Sequence, residues 1–322
     1  MKTNIIYLTN NFTVLERSVK IFAPATVSNV GPGFDIMGFA LQEPGDVLIL
    51  KTNNSGSIRI YNNSGMDIPD DPCKNIASVA LKSLLKKLNT SQGFDMYFES
   101  KIKPGSGIGS SGASCTAAVF GANLLLGNPF TPMELIPYAL EGEKMSSGSL
   151  HADNIAPALL GGFVVIRSYD PLDIIPLPVP GDLKCVVVHP FIEIKTADSR
   201  SILPVKVDLK SAVSQCGNVA GLISGIISSD YYLIYRSLKD EFAEPYRAKL
   251  IPGYLKLKDL LRENISCGCN ISGSGPSVFV LTHTPEIIDE IITKMKSVYT
   301  ELEIKYTIYS TGISEMGARI YE

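Results

Sequence analysis

The sequence predicts an α+β fold. Three observations carry that class. Strand-like and helix-like stretches are mixed along the whole chain, and no internal repeat or low-complexity tract interrupts them. The most distinctive glycine loop is followed by two successive helical patterns with no strand between them. At 322 residues there is room for one large domain or two ordinary ones. Apolar residues make up 45% and charged residues 19%, a globular composition.

Residues 19–27 (VKIFAPATV) and 46–51 (DVLILK) read as strands on either side of a glycine-rich turn, SNVGPGFDIMG. The stretch TNNSGSIRIYNNSG predicts a hairpin about Asn54 to Ser57. From Asn75 to Leu88, apolar residues at Ile76, Val79, Ala80, Leu84 and Leu88 keep the spacing of an amphipathic helix. Phe94 to Ile102 alternates as a strand and runs into KPGSGIGSSGAS, residues 103–114. Small and apolar residues from Ala113 to Leu126 predict a buried helix, which Asn128 to Pro132 breaks. Thr131, Pro132 and Glu134 supply an N-cap hydroxyl, a proline at the first helical position and a glutamate at the third. That helix should reach about Lys144. Phe163 to Arg167 and Cys185 to His189 read as strands. Between them, Ile174 to Gly181 carries three prolines and is the candidate seam between domains at 1–180 and 181–322. Helices over 208–228 and 231–241 follow, with strands at Ser277 to Leu281 and Glu303 to Ser310.

Several function classes drop out on composition. A net charge of −3 without a Lys/Arg run gives no reason to expect nucleic acid. The first eighteen residues are too polar for a signal peptide, and no apolar run approaches the roughly 18–20 residues that span a bilayer. A soluble, cytoplasmic protein is expected. Residues 1–18 read as an added strand, a tail or the product of an upstream start codon. The six cysteines lack a zinc-binding spacing and read as reduced structural thiols.

The loop at 103–114 carries the chemistry. Gly107, Gly109 and Gly112 form G-x-G-x-x-G, but a dinucleotide site would need a strand after the next helix, ending in an acid. The lysine of a Walker A loop is missing, and the protein-kinase motifs are absent. Two readings remain: a phosphate cradle at a helix N-terminus, or a tight turn capped by serines. In the first, Ser110 and Ser111 reach phosphate or a magnesium ion. Glu143 sits near a helix C-terminus, where the dipole opposes a carboxylate. It is either a solvated glutamate or a ligand of Mg²⁺, whose charge would stand in for the missing lysine.

Three segments, PATVSNVGPGFDIMG (24–38), PGSGIGSSGAS (104–114) and ISGSGPSVFVL (271–281), together resemble the GHMP kinases. HADNIAPALLGG (151–162), TADSR (196–200) and EPYRAKLIPGY (244–254) resemble the branch that phosphorylates L-homoserine. The resemblance implies an N-terminal ATP-binding α+β domain and a C-terminal ferredoxin-like α+β domain, with the substrate between them. It implies that Pro104, Gly105, Ser106, Gly107, Ile108, Gly109, Ser110, Ser111, Gly112, Ala113 and Ser114 wrap the triphosphate, with Asn75 near the adenine. Ser111 and Glu143 would hold Mg²⁺. Asn29, Asp35, His151, Arg200 and Arg247 would contact the amino acid, and Asn154 and Thr196 would flank the transferring phosphoryl group. A homodimer is implied too.

These residue types suit the roles. Homoserine is a zwitterion, so its ammonium needs a carboxylate such as Asp35, and its carboxylate needs guanidinium groups such as Arg200 and Arg247. Read singly, Asp35 could cap a turn, Asn154 could cap a helix, and the arginines could be surface residues. The expected mechanism uses no protein base, since Asn154 cannot accept a proton; Asp153 is the nearest acid in sequence. Small departures from the family pattern stand at Ser28, Val30, Ile108 and Gly112. The rival readings are a kinase for another alcohol such as mevalonate, a GHMP-fold decarboxylase, and a binding protein without chemistry.

Overall fold

The structure is a computed structural model that describes residues 17–147, 150–194, 196–262 and 266–322. The readings for residues 1–16 lie outside the described residues. The first half runs β1 (Ser18–Ser28), β2 (Met37–Asn53), β3 (Ile58–Asn62), α1 (Ile76–Lys87), β4 (Gly93–Ser100), α2 (Ser110–Leu125), α3 (Pro132–Ser147), α4 (Ala152–Leu160), β5 (Phe163–Tyr169) and β6 (Leu172–Leu177). Then come β7 (Lys184–Pro190), α5 (Thr196–Ser201), α6 (Leu209–Ser228), α7 (Tyr231–Ser237), α8 (Glu244–Arg247), α9 (Tyr254–Leu261), β8 (Cys267–Ile271), β9 (Val278–Thr282), α10 (Ile288–Glu301), β10 (Tyr306–Gly312) and β11 (Arg319–Ile320).

The first sheet has seven strands, in the order β11-β1-β2-β4-β3, with β5 and β6 branching from the N-terminal end of β2. The expected hairpin at Asn54 to Ser57 is not formed. The chain does turn there, but β3 pairs in parallel with β4, which lies between it and β2. The reason is burial. In β4, Phe94, Met96 and Phe98 are fully buried, whereas β3 is half-exposed along its length and suits only an edge. The α1 crossover makes the parallel pairing possible.

Helix α2 passes through the middle of the first layer. It is buried nearly all round, which its small residues (Ala113, Cys115, Ala117, Ala118, Ala122) permit by letting neighbours approach closely. It begins at Ser110, three residues before the apolar run, because Gly109 adopts the left-handed conformation that starts it. The capping signal at Thr131 holds: its backbone N–H and hydroxyl both donate to Glu134.

The second half is a β-α-β-β-α-β unit. Its antiparallel sheet has the order β10-β7-β9-β8, the ferredoxin-like arrangement. Val186, Val188, Val278, Val280, Met295 and Tyr299 form its core against α9 and α10. The proline-rich seam is narrower than its sequence suggests. Ile174 to Leu177 belong to β6, where Pro176 is tolerated because β6 pairs with β5 alone. At the far end of the chain, β11 returns to pair with β1. A division at 180/181 therefore places β11 with a half whose sheet it does not join. Among the described residues no helix is long and apolar enough to cross a membrane.

Candidate active site

Both halves line one cleft of about 280 Å³. Its floor is the loop between β4 and α2. Pro104 to Gly107, Gly109 to Ser111 and Ser114 line it, while the side chains of Ile108 and Ala113 are buried in the core. Gly112 packs on Asn154. No side chain caps α2, so its first N–H groups are left for a ligand. Gly109 has φ 70°, and a Cβ there would lie 1.9 Å from Thr26 Oγ1. The loop is braced from the second half, where the Ser272 hydroxyl donates to Gly107 O and the Ser277 hydroxyl to Ser106 O. These features fit a triphosphate, and they count against a plain serine-capped turn.

The loop does have a lysine, supplied by tertiary structure. Lys101, at the end of the run from β4, is buried under α2 with Nζ 3.2 Å from Asp46 Oδ2. It also donates to Ser110 Oγ (3.0 Å) and Ser114 Oγ (2.6 Å). Ser110 in turn donates to Ile102 O, and Ser114 to Asp46. The hydroxyls of Ser110 and Ser114 therefore face inward and hold the loop, which leaves the outward role to Ser111. Ser111 hydrogen-bonds the Glu143 side chain. Burial pushes the Glu143 carboxyl above its ordinary value, against the pull of Ser111, His151 and Lys101. Glu143 is 5% exposed, so it is no solvated surface glutamate. A buried carboxylate and a hydroxyl beside this glycine-rich loop are hard oxygen donors that fit Mg²⁺. Among the described residues no group of three or more His, Cys, Asp or Glu could hold a metal unaided.

Helix α4 carries the residues between the two ends. His151 is its N-cap, which excludes a capping role for Asn154. Pro157 lies inside the helix rather than in its first turn. It removes the donor for Asp153 O, and that carbonyl packs on Gly38, where a Cβ would lie only 1.8 Å away. Asn154 Oδ1 accepts from Thr26 Oγ1 at 2.8 Å, and its Nδ2 donates to Ser28 Oγ at 3.0 Å. Asn154 thus points to the phosphate loop. Asp153, the next position round the helix, instead feels Asp35 and His151. It is 2% exposed, its Oδ1 makes no hydrogen bond among the described residues, and burial pushes its carboxyl up to about 7.

The turn between β1 and β2 forms the other end. Asn29, Val30 and Asp35 all have positive φ, and the turn is tied down at several points. Asn29 donates to Gly273 O and accepts from Asp35 N; Gln215 donates to Pro32 O; Tyr169 donates to Asp35 O. Arg200 Nη2 donates to both Asp35 oxygens at 2.7 Å, and His151 Nδ1 lies 3.5 Å from Oδ1. Burial would raise the Asp35 carboxyl, but His151 and Arg200 outweigh it and hold it below its ordinary value. Arg247 is buried, with its guanidinium donating to Gly273 O and Ser199 O. Phe34 faces both arginines, its ring centre 5.4 Å from Arg200 Cζ and 5.3 Å from Arg247 Cζ.

Asn75 caps α1 and holds Pro69 O, so its polar atoms shape the 67–76 wall. The side chain of Thr196 lies outside the described residues. The fold therefore gathers the other predicted groups in or against one cleft. Lys101, Thr26, Phe34 and Tyr169 are additions that the motifs did not single out. Only Lys101 left a signal, as a lysine where an alternating strand meets a glycine loop.

A fold of this topology, with a glycine-rich loop at a helix N-terminus facing the second domain, is that of the GHMP class of small-molecule kinases. Residues 75–162 match the GHMP kinases N terminal domain and residues 208–301 match GHMP kinases C terminal. The chain is 44% identical to a homoserine kinase of Chlorobium phaeobacteroides, covering 94% of this chain and 99% of that one. A homoserine kinase of Methanococcus maripaludis is 37% identical, with 85% and 90% covered. The crystal structure of homoserine kinase from Cytophaga hutchinsonii superposes with a TM-score of 0.91 at 41% identity, covering 97% and 100%. The chain belongs to the homoserine kinase family. An L. major mevalonate kinase, 16% identical at a TM-score of 0.71, shares the fold.

Proposed function

We propose that this enzyme transfers the γ-phosphoryl group of ATP to the side-chain hydroxyl of L-homoserine, giving O-phospho-L-homoserine for threonine synthesis. The observation that carries the reading is the division of one cleft. An uncapped helix N-terminus lies at one end, Asp35, His151, Arg200 and Arg247 lie at the other, and Asn154 stands between. Ser111 and Glu143 would hold Mg²⁺, which would supply positive charge to the phosphate oxygens. The α2 N–H groups add fixed positive potential beneath them, while Lys101, its charge balanced by Asp46, holds the start of that helix in place. Ile68, Pro69, Ile76 and Phe98 offer apolar surface for the base. Thr26 and Ser28 fix the Asn154 amide, with Oδ1 toward Thr26 and Nδ2 toward Ser28. The hydroxyl oxygen attacks the γ-phosphorus, the bond to the ADP oxygen breaks, and the hydroxyl proton passes to a phosphoryl oxygen. Alignment and charge neutralisation carry this step. A cytoplasmic homodimer belongs to the same reading on family likeness, and sedimentation checks it.

ADP release should be measured with ATP and Mg²⁺, offering L-homoserine beside mevalonate, L-serine and L-threonine. Homoserine turnover far above the rest, abolished by EDTA, is the expected result. Turnover of mevalonate alone would replace the substrate, and release of carbon dioxide would point to a decarboxylase.

Asp153 separates the mechanisms with and without a base. Because its carboxyl turns toward the Asp35 and His151 end, Asp153→Asn should raise the KM for homoserine and keep most of kcat. A fall in kcat of about 10²–10⁴-fold would instead identify a general base. The same variant has a pH signature. With a folded pKa of about 7 against an ordinary 3.8, the folded protein keeps a proton the unfolded chain has lost, so stability falls as pH rises from 4 to 7. Asp153→Asn should lose less stability than its parent across that window, by an amount on the order of 4 kcal/mol or less.

A further inference from the structure

We infer that His189 is a positioning residue for ATP: through Ser277 it fixes the Ser106 peptide of the loop before α2, an inference that rests on that loop holding the triphosphate. Glycines make the loop soft. Gly105, Gly107 and Gly109 all have positive φ, so the peptide planes between them turn at little cost unless something outside the loop holds them. The Ser106 carbonyl is held from the second half. It accepts from Ser277 N at 3.3 Å and from Ser277 Oγ at 2.6 Å. A trans peptide is planar, with its C=O and N–H on opposite sides. Fixing that carbonyl therefore turns the N–H of Gly107, which lines the cleft, away from Ser277.

His189 decides how Ser277 presents its hydroxyl. It follows Val188, which pairs with Val278, so it stands across from Ser277 between neighbouring strands. His189, Ser277 and Ser106 are all buried. His189 Nδ1 lies 3.3 Å from Ser277 Oγ. The hydroxyl has one proton, already given to Ser106 O, so its oxygen can only accept from the ring. That requires the Nδ1–H tautomer and leaves Nε2 bare. Nε2 has no hydrogen-bond partner among the described residues, so a protonated ring would bury a second N–H with nothing to accept it. Burial, with the nearby charge of Lys103, pushes the imidazole down to about 4 against a hydrogen bond with the Ser106 backbone, and the ring is neutral. Phe191 packs against the imidazole with ring centres 5.5 Å apart, and Lys103 Nζ lies 4.3 Å from the Phe191 ring centre. The chain leaving β7 thus meets the start of the loop at a second point.

Three substitutions test the role. His189→Leu removes the ring N–H, His189→Asn returns a donor at the place of Nδ1, and His189→Gln puts one at the place of Nε2. The leucine variant should raise the KM for ATP about five- to ten-fold, the scale of one hydrogen bond. Its KM for homoserine should stay near that of the parent, because Asp35 and Arg200 are held by other contacts. The asparagine variant should recover most of the loss and the glutamine variant should not. Nitrogen-15 shifts of the ADP-bound parent should show the proton on Nδ1; the chain has three histidines, and the signal is assigned by its loss in His189→Asn. A proton on Nε2, equal behaviour of the asparagine and glutamine variants, or an unchanged KM for ATP in His189→Leu each overturns the inference. Gly109→Ala, whose Cβ would lie against Thr26 Oγ1, is the control for the loop itself. If it weakens ATP while His189→Leu does not, only the role of His189 falls. If neither changes the KM for ATP, the loop does not hold the triphosphate and both readings fall together.

Discussion

Lys101→Met should destabilise the protein by ~3–5 kcal/mol, the usual consequence of removing one member of a buried ion pair. Its side chain retains 5% of its accessible surface and that of Asp46 none, so the methionine variant strands a carboxylate that solvent cannot reach. Ser110 and Ser114 would also lose the donor that fixes the start of α2. Denaturant unfolding measures the loss, and the KM for ATP should rise with it, since the same contacts set the loop. Adding Asp46→Asn tests the cause. The amide oxygen can still accept from Ile102 N, while the stranded charge is gone, so the double variant should recover a substantial part of the loss. A single variant less than about 1 kcal/mol below its parent would mean that the lysine is not what holds the loop.

Glu143→Gln should have the opposite profile. Its carboxyl is buried and raised, so the neutral amide should leave stability at pH 8 unchanged or higher. The sign follows from linkage: a carboxyl whose folded pKa is raised costs stability as pH climbs through the window above its ordinary value. Activity should nevertheless fall roughly 10²–10³-fold in kcat, the scale for removing one group that stabilises developing charge. Magnesium should also protect the ADP-bound parent against heat more than it protects the ADP-bound variant. An unchanged kcat with an unchanged magnesium response would reduce Glu143 to a buried glutamate held by Ser111.

Much of the site was legible in the chain because its anchors are local. The loop before α2 reads from its glycines, since a helix N-terminus close to backbone needs residues without side chains at fixed offsets. The Thr131 to Glu134 capping pattern and the periodicity of α1 likewise depend on neighbours in sequence. The ferredoxin-like half follows the strand and helix order expected of it.

What sequence reading missed depends on partners far along the chain. The Asn54 to Ser57 turn looks like a hairpin until β4, more apolar than β3, takes the central place beside β2. Lys101 and Asp46 are distant in sequence, and nothing in either neighbourhood announces that they share a buried pocket. Asp35 and Arg200 were each legible as a charged candidate, yet their pairing with one another appears only when the second half packs against the first. Local sequence determined the α+β class, the glycine-rich loop at the start of α2 and the charged residue types that the cleft gathers. Tertiary structure alone decided which charges are buried, which are paired and which face the cleft. Burial and Coulomb interaction depend on distance in space, and the order of residues along the chain does not state that distance.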